Sequence, residues 1–527
     1  MRQGTPAPIC LVNPNLVLQR DDIFTTGVVY MPVSLAYLAG ELVHNGITCH
    51  VIDAFGDSPN QFWQENQFIY RGLTPDQIVA RVRGDEELII LYAINLTYHD
   101  SLVQIIRRLK ERLPNIPVAI LENTQAVTAY SLRRIQDEFF QLGADFIITG
   151  EGERRTLELV EALQAPTAER LAKLKQIDGL GFRCGDNTHY TPPTRKIADL
   201  DALAFAAWDL FPIQNYWRLG YAHGPLTTDK YLPLLTSRGC PYPCGFCVIP
   251  ETNDQRWRAR SARNVVDEMA HYKKTYGVTE FHIEDLDPTV KDSRTKEIAK
   301  ELIERNLGVT WKICAGTKAE TIKSEETIEL MARSGCRYIS VSPESGSPEV
   351  MKAIRKPFDI EHAIRLIRKM NSVGVKSQAC FVLGYPGEQD KDRAMTRAML
   401  KRLVREGLDE VAIFVVTPVP GSRIYGSLEG YTSYSQLNFS PSWRSDYETL
   451  NQFRVGLYRS FLLWKLRYHP AKIIRQCFNF LRRTFDTKME MVPYRALHTY
   501  LMLRHMVGKK ISIERNQAAS NMNARAQ

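Results

Sequence analysis

Over the first 155 residues, short apolar runs alternate with stretches whose apolar residues recur at helical spacing. ICLVNP (9–14) predicts a strand, and PVSLAYLAGELVHNG (32–46) predicts a helix with a glycine stop. ITCHVIDA (47–54), LIILYAINL (88–96), PVAILEN (117–123) and DFIITG (145–150) predict four further strands, with helices over 100–113 and 129–142. Five strands alternating with helices imply a doubly wound parallel sheet, which binds ligands at the carboxyl ends of its strands.

Residues 156–230 read as a connector, with a hairpin at GLGFRCGDNTHYTPP (179–193) and then DLDALAFAAWDLFP (199–212). Alternation resumes at LPLLTSRG (232–239). Strands are predicted near 232–239, 279–285, 309–317, 337–345, 376–384 and 410–418, separated by helices near 261–276, 293–306, 324–334, 361–373 and 391–406. Six such units are too few for an eight-fold barrel of about 250 residues. They predict a partial (β/α)6 TIM-type barrel with its chemistry at the strand C-terminal ends. The expected organisation is a Rossmann-like domain over 1–155, a connector over 156–230, the partial barrel over 231–430, C-terminal helices over 431–512 and a disordered tail over 513–527.

Composition adds little to this picture. The 527 residues are 44% hydrophobic and 24% charged, which suits a globular protein of several domains. No apolar run is long enough to cross a bilayer, and MRQGTPAPICLVNP has no signal-peptide pattern, so a cytoplasmic location is expected. The net charge of +9 is concentrated: eight Lys or Arg and no Asp or Glu fall between Arg454 and Arg483. A nucleic-acid binder would spread its charge more widely, and none is expected as a partner. This basic segment, interleaved with Phe, Leu, Trp and Tyr, could lie on a membrane surface, receive an anionic substrate, or pack on the barrel with a solvated charged face. Pro470 divides it.

Of ten cysteines, seven are scattered singly and read as small buried hydrophobes, Cys314 and Cys380 among them. The other three, Cys240, Cys244 and Cys247, share the stretch SRGCPYPCGFC (237–247). A structural zinc site takes four ligands, and the nearest histidine, His223, lies well upstream. A disulfide would leave an odd thiol. Iron–sulfur clusters are held by thiolates, and three of them on a four-iron cluster leave one iron open for substrate or cofactor.

The CxxxCxxC spacing, with Phe246 before the last cysteine, resembles the radical S-adenosylmethionine (radical SAM) superfamily. The resemblance implies a [4Fe-4S] cluster on Cys240, Cys244 and Cys247, with S-adenosylmethionine on the open iron cleaved to a 5′-deoxyadenosyl radical. It assigns S-adenosylmethionine contacts to Phe246, to Glu284 and Asp285 in FHIEDLDPTVKD, to Lys318 (where relatives more often carry Arg), to Glu344 in ISVSPESGSPEVMKAI, and to Gly384 in FVLGYPGEQD. TPVPGSRIY (417–425) resembles the turn after the sixth strand. The sheet ahead of the barrel, with the linker DLDALAFAAWDLFP, resembles the cobalamin-binding branch. That branch implies contacts from Thr97, Asn123, Thr124, Gly150, Glu151 and Gly152. No DxHxxG motif is present, so no histidine-ligated cobalamin is implied. LENTQAV (121–127) departs from the glycine-rich stretch of relatives.

The resemblance implies methylation of an unactivated carbon in a small-molecule or lipid-like substrate, with an external electron donor of flavodoxin or ferredoxin type. Ring closure or oxidation of the tetrapyrrole-cyclase type is the alternative within the branch. A cluster-bearing electron-transfer or binding protein is the alternative outside catalysis. No catalytic residue is assigned.

Overall fold

The computed structural model describes residues 8–22, 26–185 and 187–504. The predicted tail over 513–527 lies outside them. Among the described residues, two large sheets carry the fold.

The first sheet contains β1 (Ile9–Asn13), β2 (Cys49–Asp53), β3 (Leu88–Ala93), β4 (Val118–Glu122), β5 (Phe146–Ile148), β6 (Leu180–Cys184) and β7 (Asn187–Tyr190). Its spatial order is β7-β6-β5-β4-β3-β1-β2. β1 to β5 run parallel in the predicted doubly wound arrangement. The central β1, β3 and β4 are buried at every position, which is why they read as unbroken apolar runs. The predicted hairpin forms, but it is not a free part of the connector. β6 and β7 extend the first sheet antiparallel from β5, so the sheet has seven strands rather than five and continues to Tyr190. A small antiparallel sheet of Leu16–Gln19, Phe68–Arg71 and Phe62–Glu65 was not predicted, because its strands are too short for alternation to register.

The second sheet is β8 (Tyr231–Leu234), β9 (Glu280–Ile283), β10 (Thr310–Thr317), β11 (Cys336–Glu344), β12 (Lys376–Leu383) and β13 (Glu410–Val415). All six are parallel and lie side by side in chain order. The helices between them begin and end where the sequence chemistry asks. Ser261 caps Ala262–Tyr276 through the Asn264 N–H, and Gly277 closes that helix in the left-handed region. Ser324 and Ser347 cap Glu325–Arg333 and Pro348–Ala353 in the same way, while Asp292–Arg305 starts without a side-chain cap.

The inward face of this sheet carries a buried polar layer at its lower end. Lys312 pairs with Glu280 at 2.8 Å and donates to the Pro225 carbonyl at 2.6 Å. Gln378 donates to Glu410 at 2.6 Å, and Tyr338 bonds the same carboxylate. Every member has a partner, as burial requires.

The connector binds the sheets together. The Ala207 N–H donates to the Ala36 carbonyl on helix Val33–His44, and a side chain at Gly40 would collide with the Phe205 carbonyl. Two arginines, one buried and one half-buried, make the stronger link. Arg238 and Arg258 are register partners in a two-residue ribbon that follows β8. Arg238 grips Glu153 with two hydrogen bonds of 3.0 and 2.5 Å, and Arg258 grips Glu151 in the same manner. Both glutamates follow β5 of the first sheet. Removing one partner of a buried pair strands the other charge, so Glu153→Ala is expected to cost about 3–5 kcal/mol of stability, read as a lowered denaturation midpoint of the full chain.

Candidate active site

The three cysteines lie on the loop that leaves β8, at the carboxyl end of the second sheet, and all are half-buried. The base of the loop is pinned by Asp285. Its carboxylate accepts from the Thr236 N–H (2.7 Å), the Thr236 hydroxyl (2.6 Å) and the Ser237 hydroxyl (2.5 Å). Arg294 holds the Thr236 carbonyl at 2.6 Å. Gly239 then turns at φ +78°, where a Cβ would sit 2.0 Å from the Arg256 carbonyl oxygen. Only glycine fits there. Further along, the Gly245 N–H donates to the Ile354 carbonyl at 2.8 Å, and its own carbonyl accepts from Ile424 at 3.2 Å.

Burial pushes the Cys240 thiol up to about 12 and raises Cys244 and Cys247 as well. Cation charge is needed to hold them as thiolates. Lys356 supplies part of it, since its charge opposes the rise at all three. Among the described residues, the groups whose ligand atoms lie within 4.8 Å of one another are Cys10, His50, Glu86 and His282, Glu284, Cys314. The loop thiols are not among these close groups, and a polynuclear cluster spans a wider ligand shell than a single ion.

Several predicted residues gather round this loop. Phe246 packs on Tyr385 at 5.7 Å between ring centroids, beside Gly384. Gly384 (φ +79°) donates its N–H to Glu388 and accepts from Arg444 at 3.0 Å. Lys318 pairs with Glu320 at 2.8 Å and lies 5.4 Å over the ring of Tyr242, within the cysteine loop. Glu344 ends β11 at φ +60°, a strained conformation for a non-glycine residue. It pairs with Lys356, whose ammonium also lies 5.8 Å over the Phe246 ring. Burial raises Glu344, and the charge of Lys356 opposes that rise. Tyr385, Thr417 and Ser422, just beyond β12 and β13, each bury a hydroxyl with no hydrogen-bond partner. Orphaned polar atoms around one loop mark the place of an absent polar ligand. The inward face beside them is open: Ala315 is exposed, and Ser342, Cys380, Val382 and Phe414 are only half-buried. Cys380 is therefore a wall residue rather than core, whereas Cys314 is buried.

Glu284 and Asp285 separate. Asp285 faces the loop base, and its carboxylate is fully engaged there rather than free for an ammonium group. Glu284 is bound by His223 Nδ1 at 2.7 Å. Lys488, from the C-terminal helices, approaches His223 Nε2 at 3.3 Å and donates to the Cys314 carbonyl at 2.9 Å. A neutral imidazole protonated at Nδ1 satisfies both contacts. Burial lowers His223, in keeping with the neutral form. Burial would raise Glu284, but His223 holds it below the usual carboxylate range. Tyr30, from the N-terminal part of the chain, sits 4.5 Å from the His223 ring.

The residues predicted for cobalamin do not form one group. Thr97 lines a crevice of about 350 Å³ with Tyr30 and Asn438. Thr124, Gly150, Glu151 and Gly152 line another of about 310 Å³, with Gln125 and Arg238. Asn123 lines neither and donates to the Ile94 carbonyl at 2.7 Å. The Glu151 carboxylate is taken by Arg258 and by the Ile197 N–H at 2.7 Å, so it is a link between sheets rather than a free ligand contact. Gln125 Oε1 is buried without a partner, and a corrin rim carries amide donors that could complete it. The lining suits such a rim chemically.

Residues 234–418 match the radical SAM superfamily. The chain carries a radical SAM domain. The cysteine loop and the strands from β9 to β13 all fall inside the matched segment. An uncharacterized methyltransferase of Pyrococcus horikoshii, PH0819, is 27% identical over 307 residues, 58% of this chain and 62% of that protein. The chain thus spans less than two thirds of that relative's length. The anaerobic magnesium-protoporphyrin IX monomethyl ester cyclase of Synechocystis is 27% identical over 467 residues, 84% of this chain and 85% of the cyclase. The solved structure of the radical SAM methyltransferase TsrM from Kitasatospora setae, with cobalamin and a [4Fe-4S] cluster bound, aligns with a TM-score of 0.58 at 16% identity. It covers 80% of this chain and 78% of TsrM, a likeness of fold.

Sequence reasoning missed Lys356, His223 and Lys488 as site residues, since no spacing links them to the cysteines. Two outcomes follow for the radical SAM domain. Gly239→Ala and Asp285→Ala are each expected to reduce iron bound per chain several-fold while far-ultraviolet circular dichroism stays unchanged. Glu122, at the end of β4, accepts from Leu132 and Gly150 N–H groups, and burial raises it to about 7 from an ordinary 4.5. The folded state therefore holds this proton more tightly, so its contribution to stability is present below about pH 4.5 and lost as pH rises through about 7. Glu122→Gln is expected to flatten that part of the stability–pH profile in denaturant titrations.

Proposed function

We propose that this protein is a radical SAM enzyme that uses a [4Fe-4S] cluster, S-adenosylmethionine and cobalamin to methylate an unactivated carbon of a small-molecule or lipid-like substrate. One observation carries the reading: the two sheets meet through the loops at their carboxyl ends. Glu151 and Glu153, after β5, hold Arg258 and Arg238, after β8. Asn253, just beyond the cysteine loop, donates to the Thr124 carbonyl after β4, and the Ser131 N–H donates to the Pro420 carbonyl after β13. The ligand-binding edges of both sheets therefore share one interface.

In this reading Cys240, Cys244 and Cys247 hold the cluster. Phe246, Glu344 with Lys356, Lys318 and the Gly384 turn border the S-adenosylmethionine site, with Glu284 across the open inward face. Asp285 positions the loop. Thr124, Gly150 and Gly152, with Gln125, border the cobalamin site and Glu151 shapes it from behind, whereas Thr97 and Asn123 fall outside that crevice. When bound, the cluster with S-adenosylmethionine supplies a 5′-deoxyadenosyl radical, and cobalamin supplies a methyl group. The chain orients these groups, keeps water out and admits one electron from an external flavodoxin- or ferredoxin-type donor. The six-stranded sheet curls as a partial (β/α)6 barrel around the substrate, between a sheet domain centred on residues 1–155 and the C-terminal helical region, whose predicted residues 505–512 lie outside the described ones.

The similarity to the Synechocystis cyclase over most of both chains supports a second reading, ring closure or oxidation. Product mass separates the two: a gain of one methylene for methylation, and lost hydrogens or gained oxygen for cyclisation. The decisive first experiment is anaerobic purification from cobalamin-fed cells, with iron, sulfide and corrin absorbance measured together. About four irons with bound corrin are expected. Four irons without corrin, even after excess cobalamin is added, would remove methyl transfer from the proposal.

A further inference from the structure

The C-terminal helices present a surface that the catalytic reading does not use. Of the fourteen exposed large hydrophobic residues among those described, ten lie between Val455 and Leu501. They are not scattered. On helix Tyr447–Tyr468, Val455, Leu462 and Leu466 share one face at helical spacing, with Leu463 beside them. The chain breaks at His469, where Pro470 starts the next helix, as its position in the sequence predicted.

That second helix, Pro470–Arg482, is mounted the wrong way round for a globular protein. The side facing the rest of the chain is largely polar, with Phe480 packed on Tyr494 and Ile473 half-buried among the polar groups. Lys472 donates to the Gly407 carbonyl at 2.6 Å and to Asp409 at 2.9 Å. Gln476 donates to Thr487 at 3.1 Å, and Asn479 donates to Glu490 at 3.1 Å. Its apolar stripe faces outward: Ile474 is 58% exposed, Phe478 56% and Leu481 76%. None of its residues is buried. An amphipathic helix normally buries that stripe.

Charge completes the pattern. Arg459, Arg467, Arg475, Arg482, Arg483 and Arg504 are exposed over the same segment. Its two acids are withdrawn, Asp486 half-buried and Glu490 buried. From Val455 to Arg504 the outward apolar stripe is flanked by arginines with no exposed acid, Glu448 being exposed only at the first turn of the first helix; this is complementary to an anionic bilayer surface, with the stripe among acyl chains and the guanidiniums among phosphates. No described helix is long and apolar enough to cross a membrane. The helix pair attaches at Gly407–Asp409, where β13 begins, at the end of the sheet away from the cysteine loop.

The geometry points to peripheral docking of this protein on an anionic lipid surface through helices Tyr447–Tyr468 and Pro470–Arg482, with the cysteine-loop end of the radical SAM domain directed away from the bilayer. This holds whether the reaction is methylation or cyclisation.

The test is flotation of the full-length, anaerobically purified protein with vesicles. Phosphatidylcholine vesicles containing phosphatidylglycerol are compared with pure phosphatidylcholine, at low and high salt. The wild-type chain is expected to float with the anionic vesicles at low salt and to be released by high salt. The pair Phe478→Ser with Leu481→Ser and the pair Arg467→Glu with Arg482→Glu are each expected to lower the bound fraction about tenfold or more, with unfolding temperature unchanged. No flotation of the wild type overturns the proposal. So does a wild-type dimer in light scattering that becomes a monomer in the serine variant without any vesicle binding, since the face would then join two copies of the chain.

Discussion

The paired grip of Glu151 on Arg258 and Glu153 on Arg238 fixes where everything else can sit. The two glutamates are two residues apart at the start of one helix, and the two arginines face each other in a short ribbon. Glu153 and Arg238 are both buried, and Glu151 is buried against a half-buried Arg258, so neither glutamate can turn to water if its arginine moves. The first sheet is thereby set against the root of the cysteine loop. Asp285 and Arg294 then fix the height of that loop over the second sheet. Around this clamp, lesser ties join the same two parts of the fold: Asn253 to the Thr124 carbonyl, the Ser131 N–H to Pro420, and Tyr37 to Glu268.

The five parallel strands of the first sheet, the six strand–helix units of the second and the spacing of the cysteine loop were legible because each rests on a local pattern. Buried parallel strands write themselves as apolar runs, and three cysteines in eight positions need little context. What could not be read is long-range pairing. Glu151 and Asp285 carry the residue type of ligand contacts, and both are engaged by partners far off in the chain, Arg258 in one case and Thr236 in the other. No periodicity announces such partners. Lys356 follows Glu344 by twelve positions and reaches it only because the helix Pro348–Ala353 folds the chain back. The hairpin was visible, but its attachment to β5 was not, since edge pairing depends on which strand is left open.

The open inward face shows a similar division of labour. Its lower layer, with Glu280, Lys312, Tyr338 and Glu410, is fully paired and behaves as a polar floor. Above it, Glu284 and His223 form a linked pair that Lys488 reaches from the far end of the chain. Tyr30 touches the same imidazole from the near end. This part of the inward face is thus assembled from residues separated by most of the sequence, from Tyr30 to Lys488.

The backbone ties of the cysteine loop all run to protein atoms: Gly245 to Ile354 and Ile424, Cys247 to Cys244, and Thr236 to Asp285. The fold thus restrains the loop at its base and along its length. A small zinc module, by contrast, collapses when its ion leaves. Here the ties from Thr236 to Asp285 and from Gly245 to Ile354 and Ile424 belong to the packing of the domain, so the contacts that hold the strand ends together also set the spacing of the three thiols.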